Sequence, residues 1–246
     1  MSKHRKNKRV TVPKAFPQQS SRRPPHPDRV TVAIATPCLD QVNAGYTASL
    51  AFAIAHTMGN MPNVGICYLP YSSSILPISR TWLAQTSMDI GADHILWIDS
   101  DMVFPKDIIS ILMAHRQPVV AANCIARSHP FRTNSRSHDL EQVYTDPDST
   151  GLEKVDLIGF GVCWTDTAVF EKIEKPWFPI LYEAEQDRYH GEDYGFARQC
   201  QASGIPIHID HDLSKHIQHI GKQLFNVLHA RALQREAQEH VDQNPE

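Results

Sequence analysis

The chain has 246 residues, 41% of them hydrophobic, and a formal net charge of −3. That length and composition suit one α/β domain with a large core plus appendages, and no apolar run approaches the roughly 20 residues a membrane-crossing helix needs, so an integral membrane protein is not expected. Charge is unevenly placed: residues 1–29 hold nine of the 24 Lys and Arg but a single acid, Asp28. Residues 1–28 are also rich in Pro, Gln and Ser and lack apolar periodicity, which predicts a disordered basic tail. Such an arm suits a nucleic acid or another polyanion, and equally a solvated terminus with no partner. No apolar segment follows the basic start, so no signal peptide is expected. The five cysteines are scattered and form no Cys-x-x-Cys pair, which predicts reduced thiols in a cytoplasmic protein.

Beyond the tail, residues 29–35 alternate Val30, Val32 and Ile34 before Thr36-Pro37, which predicts a first strand ended by the proline. Residues 46–58 carry Leu50, Ile54 and Met58 at helical spacing, with Gly59-Asn60 as a stop. A strand over 64–69, a helix over 78–90 closed by Gly91, a strand over His94–Ile98, a helix over 105–115 and a strand over 118–122 follow. This β-α alternation predicts a mainly parallel sheet covered on both faces. Residues 123–148 break the pattern as a long polar loop, the kind that is usually functional or disordered. A strand over 154–165, a short helix over 166–173 capped by Asp166, a rigid aromatic turn at Pro176-Trp177-Phe178-Pro179, a helix over Glu192–Ala202, a buried strand over 205–209 and a helix over 222–240 complete the chain.

Chemistry concentrates where the apolar run Ile95 to Ile98 climbs into Asp99-Ser100-Asp101. Unpaired carboxylates do not belong in a core, so the strand must deliver them to an edge of the sheet. Two close carboxylates favour a shared proton or a cation between them, and oxygen-rich sites with open positions suit Mg²⁺ or Mn²⁺ with a substrate phosphate. A simple strand-to-helix turn, with Asp101 or Asp107 near the next helix, fits the same residues. Glu192-Asp193 after Gly191 reads either as a pair favoured by a helix dipole or as a reactive pair. Residues 210–221 carry His211, His216 and His219; with His208 they offer a zinc site as an alternative use. No glycine ladder, phosphate-binding loop or nucleophile elbow is present.

Taken in order, WIDSDMVFP, GFGVCWTDTAVFEKI, PWF, GEDYGFARQCQASG and HIG resemble the GT-A-fold glycosyltransferases, in particular the family 2-like enzymes common in bacteriophages and related mannosyltransferase-like sequences. The resemblance runs from about Arg29 to Gly221. It implies a GT-A (Rossmann-like) α/β/α sandwich with a mainly parallel central sheet over 29–221, flanked by the tail 1–28 and a packed C-terminal helix in 222–246. By the same resemblance Asp99, Asp101 and His219 hold Mn²⁺ or Mg²⁺, with Asp101 the direct ligand. Thr36, Pro37, Asp40, Arg80 and Ser100 bind the donor, although Thr81 stands where the family usually has Asn. Asp193 is the general base with Glu192 positioning it, and Gly161, Trp177 and Phe178 line the acceptor side. The implied activity is transfer of a sugar from a UDP- or GDP-linked donor to an acceptor hydroxyl, with inversion as the expected stereochemistry. A modified base in phage DNA is one such acceptor, with Arg127, Arg132 and Arg136 adding to the grip of the basic tail and the host cytoplasm as location. The alternatives are a nucleotidyltransferase or other Mg²⁺/Mn²⁺ phosphate enzyme on a similar fold, and a degenerate GT-A module that binds nucleic acid.

Overall fold

The computed structural model describes residues 29–127, 132–185 and 187–221. The expectations for a basic tail over 1–28 and a helix over 222–240 lie outside these residues. In chain order the elements are β1 (Val30–Cys38), α1 (Ala44–Asn60), β2 (Val64–Ser72), α2 (Leu76–Asp89), β3 (His94–Ile98), β4 (Met102–Val103), α3 (Ile108–Ala114), β5 (Val119–Ala122), β6 (Leu152–Val155), β7 (Val162–Asp166), α4 (Val169–Lys172), β8 (Leu181–Glu183), β9 (Arg188–His190), α5 (Glu192–Ala202), β10 (Ile207–Asp210), α6 (His211–Ser214) and β11 (Gln218–His219).

Seven strands form one sheet in the order β2-β1-β3-β7-β5-β10-β6. β1, β2 and β3 run parallel, as do β5 and β10, while β7 and β6 pair antiparallel with their neighbours. The expected α/β sandwich is thus observed, with a mixed sheet in which β1, β2, β3, β5 and β10 run one way and β6 and β7 the other. Period-two alternation divides each strand between two cores: in β3, Ile95 and Trp97 face α2, α4 and α5, whereas Leu96 and Ile98 face α1, α3 and α6. All four side chains are fully buried, and each such burial stabilises the fold by about 1.5–3 kcal/mol.

Three local expectations are corrected. β1 does not stop before Pro37 but continues to Cys38 beside β2. Its pairing with β3 ends at Ala35, so Pro37 sits where the strand has one neighbour, a margin that tolerates a residue without an N–H. The single strand expected over 154–165 is two, β6 and β7, on different neighbours. Asp166 closes β7 and takes the ring of His94 (2.7 Å) instead of capping a helix.

The order β2-β1-β3 reverses direction of travel at β1. Crevices of open α/β sheets form at such points, outside the carboxyl ends of the strands. The carboxyl end of β3 is Asp99-Ser100-Asp101.

Candidate active site

β3 ends because its next residues are polar, and the turn is tied on every side. The Asp99 N–H donates to the Gly161 carbonyl (3.0 Å), the Met102 N–H to the Asp99 carbonyl (3.1 Å), and the Asn43 N–H at the start of α1 to the Ser100 carbonyl (3.0 Å). β4 then pairs antiparallel with β11, with Met102 opposite His219, and the Ile220 N–H reaches the Asp101 carbonyl (2.9 Å). Two segments far apart in sequence are thereby laid side by side.

Their side chains meet. His219 Nδ1 hydrogen-bonds the Ile125 carbonyl (2.8 Å), which directs Nε2 at Asp101 Oδ1, 3.5 Å away. Arg127 holds the other carboxylate oxygen, Oδ2, at 2.8 Å. Partial burial pushes the Asp101 carboxyl up, but the His219 hydrogen bond and the Arg127 charge outweigh it and leave it below its usual range. The hydrogen bond to Asp101 raises His219 in turn, against partial burial. Protonated, the imidazole is a counter-ion of Asp101; neutral, its Nε2 offers a lone pair. A ring fixed through one nitrogen by a backbone carbonyl, with the other nitrogen beside a carboxylate, fits a divalent cation. Among the described residues no group of three His, Cys, Asp or Glu is placed to hold one ion, so a substrate's oxygens would complete the shell.

Asp99, the other carboxylate expected as a ligand, is ion-paired through Oδ1. Arg80 of α2, 2% exposed, donates from Nη2 to Asp99 Oδ1 and from Nε to Glu192 Oε1, both at 3.1 Å, with its guanidinium 4.8 Å from the centroid of Phe160. Burial disfavours the Arg80 charge, and the two carboxylates more than restore it. Asp99 is raised, by burial first and also by Asp101, in spite of Arg80. Arg80 is therefore a buried clamp between the strand-end carboxylate and α5, and its Nη1 has no hydrogen-bond partner among the described residues.

α5 begins at Glu192-Asp193. Glu192 is taken by Arg80, while Asp193 Oδ1 accepts the Tyr194 N–H (2.8 Å) and Oδ2 has no hydrogen-bond partner among the described residues. Burial, then the neighbouring Glu192, raises the Asp193 carboxyl. The helix sits tightly: a Cβ on Gly195 would lie 1.9 Å from the Pro179 carbonyl oxygen.

The other expected site residues divide. Asp40 lies exposed on the loop after β1, and Ser100 is half-buried in the turn. Thr36 is fully buried with its hydroxyl on the Tyr46 hydroxyl, and Pro37 is buried within β1, so neither side chain is turned to a ligand. Gly161 is buried beneath the turn, where a Cβ would press on Cys124 and Met102. Trp177 and Phe178 are 3% and 1% exposed; Phe178 stacks on Phe196 (5.3 Å) and Trp177 packs edge-on against Phe170 (5.2 Å). They brace α5 from the core and do not line an acceptor surface. The four-histidine zinc alternative fails: His211 bonds Thr145 and Glu153, away from the His219–Asp101 pair. Arg136 spends Nη1 on the carbonyls of Thr133 and Ser135, so it is a strut of its loop. The contact of Arg127 with Asp101 went unforeseen. Only its place in a basic loop marked it, and nothing local in the sequence links it to the acidic turn.

Comparison with known proteins places matches on the same parts. The Anp1 family model matches residues 73–155, a stretch that includes Arg80, Asp99 and Asp101. No curated protein matches the chain by sequence. Among solved structures, A197 from STIV is 13% identical, with 80% of this chain and 97% of that one covered and a TM-score of 0.48. A Drosophila β-1,4-galactosyltransferase 7 in complex with manganese, UDP-Gal and xylobiose is 10% identical over 82% of this chain and 79% of its own, at a TM-score of 0.46. A glycosyltransferase involved in glycosylation of the major capsid of PBCV-1 is 14% identical over 87% and 100%, at 0.39. The mixed seven-stranded sheet between two helical layers makes this an α/β fold.

Proposed function

We propose that the chain is a metal-dependent glycosyltransferase that moves a sugar from a UDP- or GDP-linked donor to an acceptor hydroxyl. The observation that carries this reading is the meeting of Asp101 and His219 at 3.5 Å on the crevice side of the sheet. Asp101 and His219 would hold Mn²⁺ or Mg²⁺, which when bound supplies Lewis-acid stabilisation to a departing diphosphate. Asp40 and Ser100 stand on the donor side. Asp193 takes the proton of the acceptor hydroxyl through Oδ2, which has no hydrogen-bond partner among the described residues, and its raised pKa brings it closer to the neutral range where a general base is effective. Arg80 keeps Glu192 off that task and fixes the start of α5 relative to Asp99. One base serving a direct displacement gives inversion at the sugar carbon. The mannosyltransferase-like character of the resemblance is in keeping with the Anp1 match. Delivery of the sugar to DNA is a further proposal that rests on residues 1–28 and on Arg127 and Arg132, since Arg136 is committed to its own loop.

The test is to incubate the protein with Mn²⁺ and a panel of UDP- and GDP-sugars and to measure released nucleoside diphosphate. Release is expected for one donor and is expected to vanish in His219→Ala and Asp101→Asn. Release of pyrophosphate instead, or no binding of UDP or GDP with Mn²⁺, overturns the reading.

A further inference from the structure

Beyond the ends of β5 and β10, on the same side of the sheet as the acidic turn, lies a cavity of about 310 Å³. Ile125 lines it, and the carbonyl of Ile125 is the one that orients His219. The cavity therefore adjoins the proposed cation site. Its volume falls at the small end of ligand pockets, matching a single sugar unit better than a nucleic-acid strand.

Three features define what it would bind. Asn123, which lines the cavity and is 7% exposed, gives Nδ2 to the Val143 carbonyl (2.8 Å) and to Thr145 Oγ1 (3.3 Å), while its Oδ1 has no partner. Thr145 is itself held by His211, whose other nitrogen bonds Glu153 (2.8 Å), so the amide is fixed with one acceptor left over. A buried acceptor without a donor is unfavourable, and an arriving hydroxyl satisfies it. Second, Arg132 forms no ion pair among the described residues, and its charge adds to burial in holding Arg136 below its usual pKa. The lining holds Arg132 and Lys215 against one acid, Asp146. Lys215 is engaged with the Ser149 carbonyl (2.6 Å), which leaves Arg132 as the cation of the lining without an ion pair among the described residues. Third, Tyr144, 56% exposed, offers an aromatic face on the cavity wall.

We infer that this cavity is the acceptor subsite and that it takes a phosphorylated sugar unit, with the ring on Tyr144, a hydroxyl on Asn123 Oδ1 and the phosphate on Arg132. The inference rests on the transferase reading for the word acceptor, while the binding chemistry stands on the cavity alone.

Calorimetric titration of the full chain with glucose 6-phosphate, glucose and inorganic phosphate tests it. Glucose 6-phosphate is expected to bind at least about tenfold more tightly than glucose or phosphate, because it engages the ring face and a charge-assisted contact together. Arg132→Ala is expected to erase that advantage, Tyr144→Ala to weaken glucose 6-phosphate and glucose alike, and Lys172→Ala, on distant α4, to preserve all three affinities. Equal affinity for the three probes, no binding, or an Arg132→Ala variant that still prefers glucose 6-phosphate overturns the inference. Competition by a DNA duplex at equal or higher affinity also overturns it, in favour of a nucleic-acid surface. Titration of the same preparation with UDP and Mn²⁺ separates the two readings. UDP binding without glucose 6-phosphate binding sinks the subsite and leaves the transferase; the converse sinks the transferase and leaves a sugar-phosphate site.

Discussion

Arg80 and Asp193 bear on stability in opposite directions. Arg80 satisfies two carboxylates at once from a position 2% exposed. Arg80→Ala would strand Asp99 and Glu192 without their counter-charge, and removing one member of a buried ionic group costs about 3–5 kcal/mol. Urea denaturation is expected to register that loss, with Arg80→Lys intermediate because an ammonium cannot reach both partners in the forked geometry. Asp193 works the other way. Its folded pKa lies above the ordinary carboxylate value, so the folded state holds the proton more tightly than the unfolded one. Stability is therefore lost as pH rises from the unfolded pKa through the folded pKa, and the loss is complete once pH exceeds the folded pKa. Asp193→Asn is expected to melt higher than the parent at neutral pH, with the difference disappearing in acid, and to lack transferase turnover. The acidic limb of the parent's kcat/KM profile is expected above the normal Asp range, since the base must first lose its proton.

At the scale of elements, α5 is positioned by a contact that leaves no room for a side chain. A Cβ at Gly195 would meet the backbone oxygen of Pro179 at 1.9 Å, so Gly195→Ala must push the helix off the 176–179 turn. Overpacking of this kind costs about 1–3 kcal/mol. Because α5 begins with Glu192 and Asp193, a shift of about 1 Å lowers turnover by on the order of 100-fold; kcat measured beside thermal melting is expected to show both effects. This contact also marks what the sequence made legible. β3 and α5 match their expected bounds, because an apolar run closed by acids and a Gly-opened, Gly-closed helix carry local signals. The direction of β7 was not legible, since period-two alternation is the same in a strand run either way. Trp177 and Phe178 were read toward an acceptor through a family likeness, although two large apolar side chains between prolines also suit the core, where they lie. Thr36 carries a polar group that a ligand or Tyr46 can satisfy, and only the fold decides for Tyr46. Within the candidate site, Asp101, His219, Glu192 and Asp193 are residues that the sequence resemblance also singles out. The clamp from Arg80 to Glu192 and the pairing of Arg127 with Asp101 were not, because both join segments with no shared local pattern.

For the whole molecule, the proposed cation pair is peripheral to both cores. The two cores are built from the seven-stranded sheet and its helices, whereas His219 comes from the two-residue strand β11 in a separate small sheet with β4. Its side chain is 19% exposed and contributes one hydrogen bond to Ile125 and one contact to Asp101. Removing it therefore leaves the apolar framework intact while taking away one of the two side chains proposed to hold the ion. This separation makes linkage the sharpest global measurement. A ligand that binds the folded chain alone stabilises it by RT ln(1 + [L]/Kd), about 2.7 kcal/mol at a hundredfold excess over Kd. UDP or GDP with Mn²⁺ is expected to raise the melting temperature of the parent in step with that stabilisation, and neither nucleotide without metal is expected to match it. His219→Ala is expected to melt close to the parent when no ligand is added and to gain little from the nucleotide and Mn²⁺ together. If His219→Ala instead keeps the full ligand-dependent rise, the imidazole does not hold the ion, and the nucleotide must be gripped by other residues of the crevice.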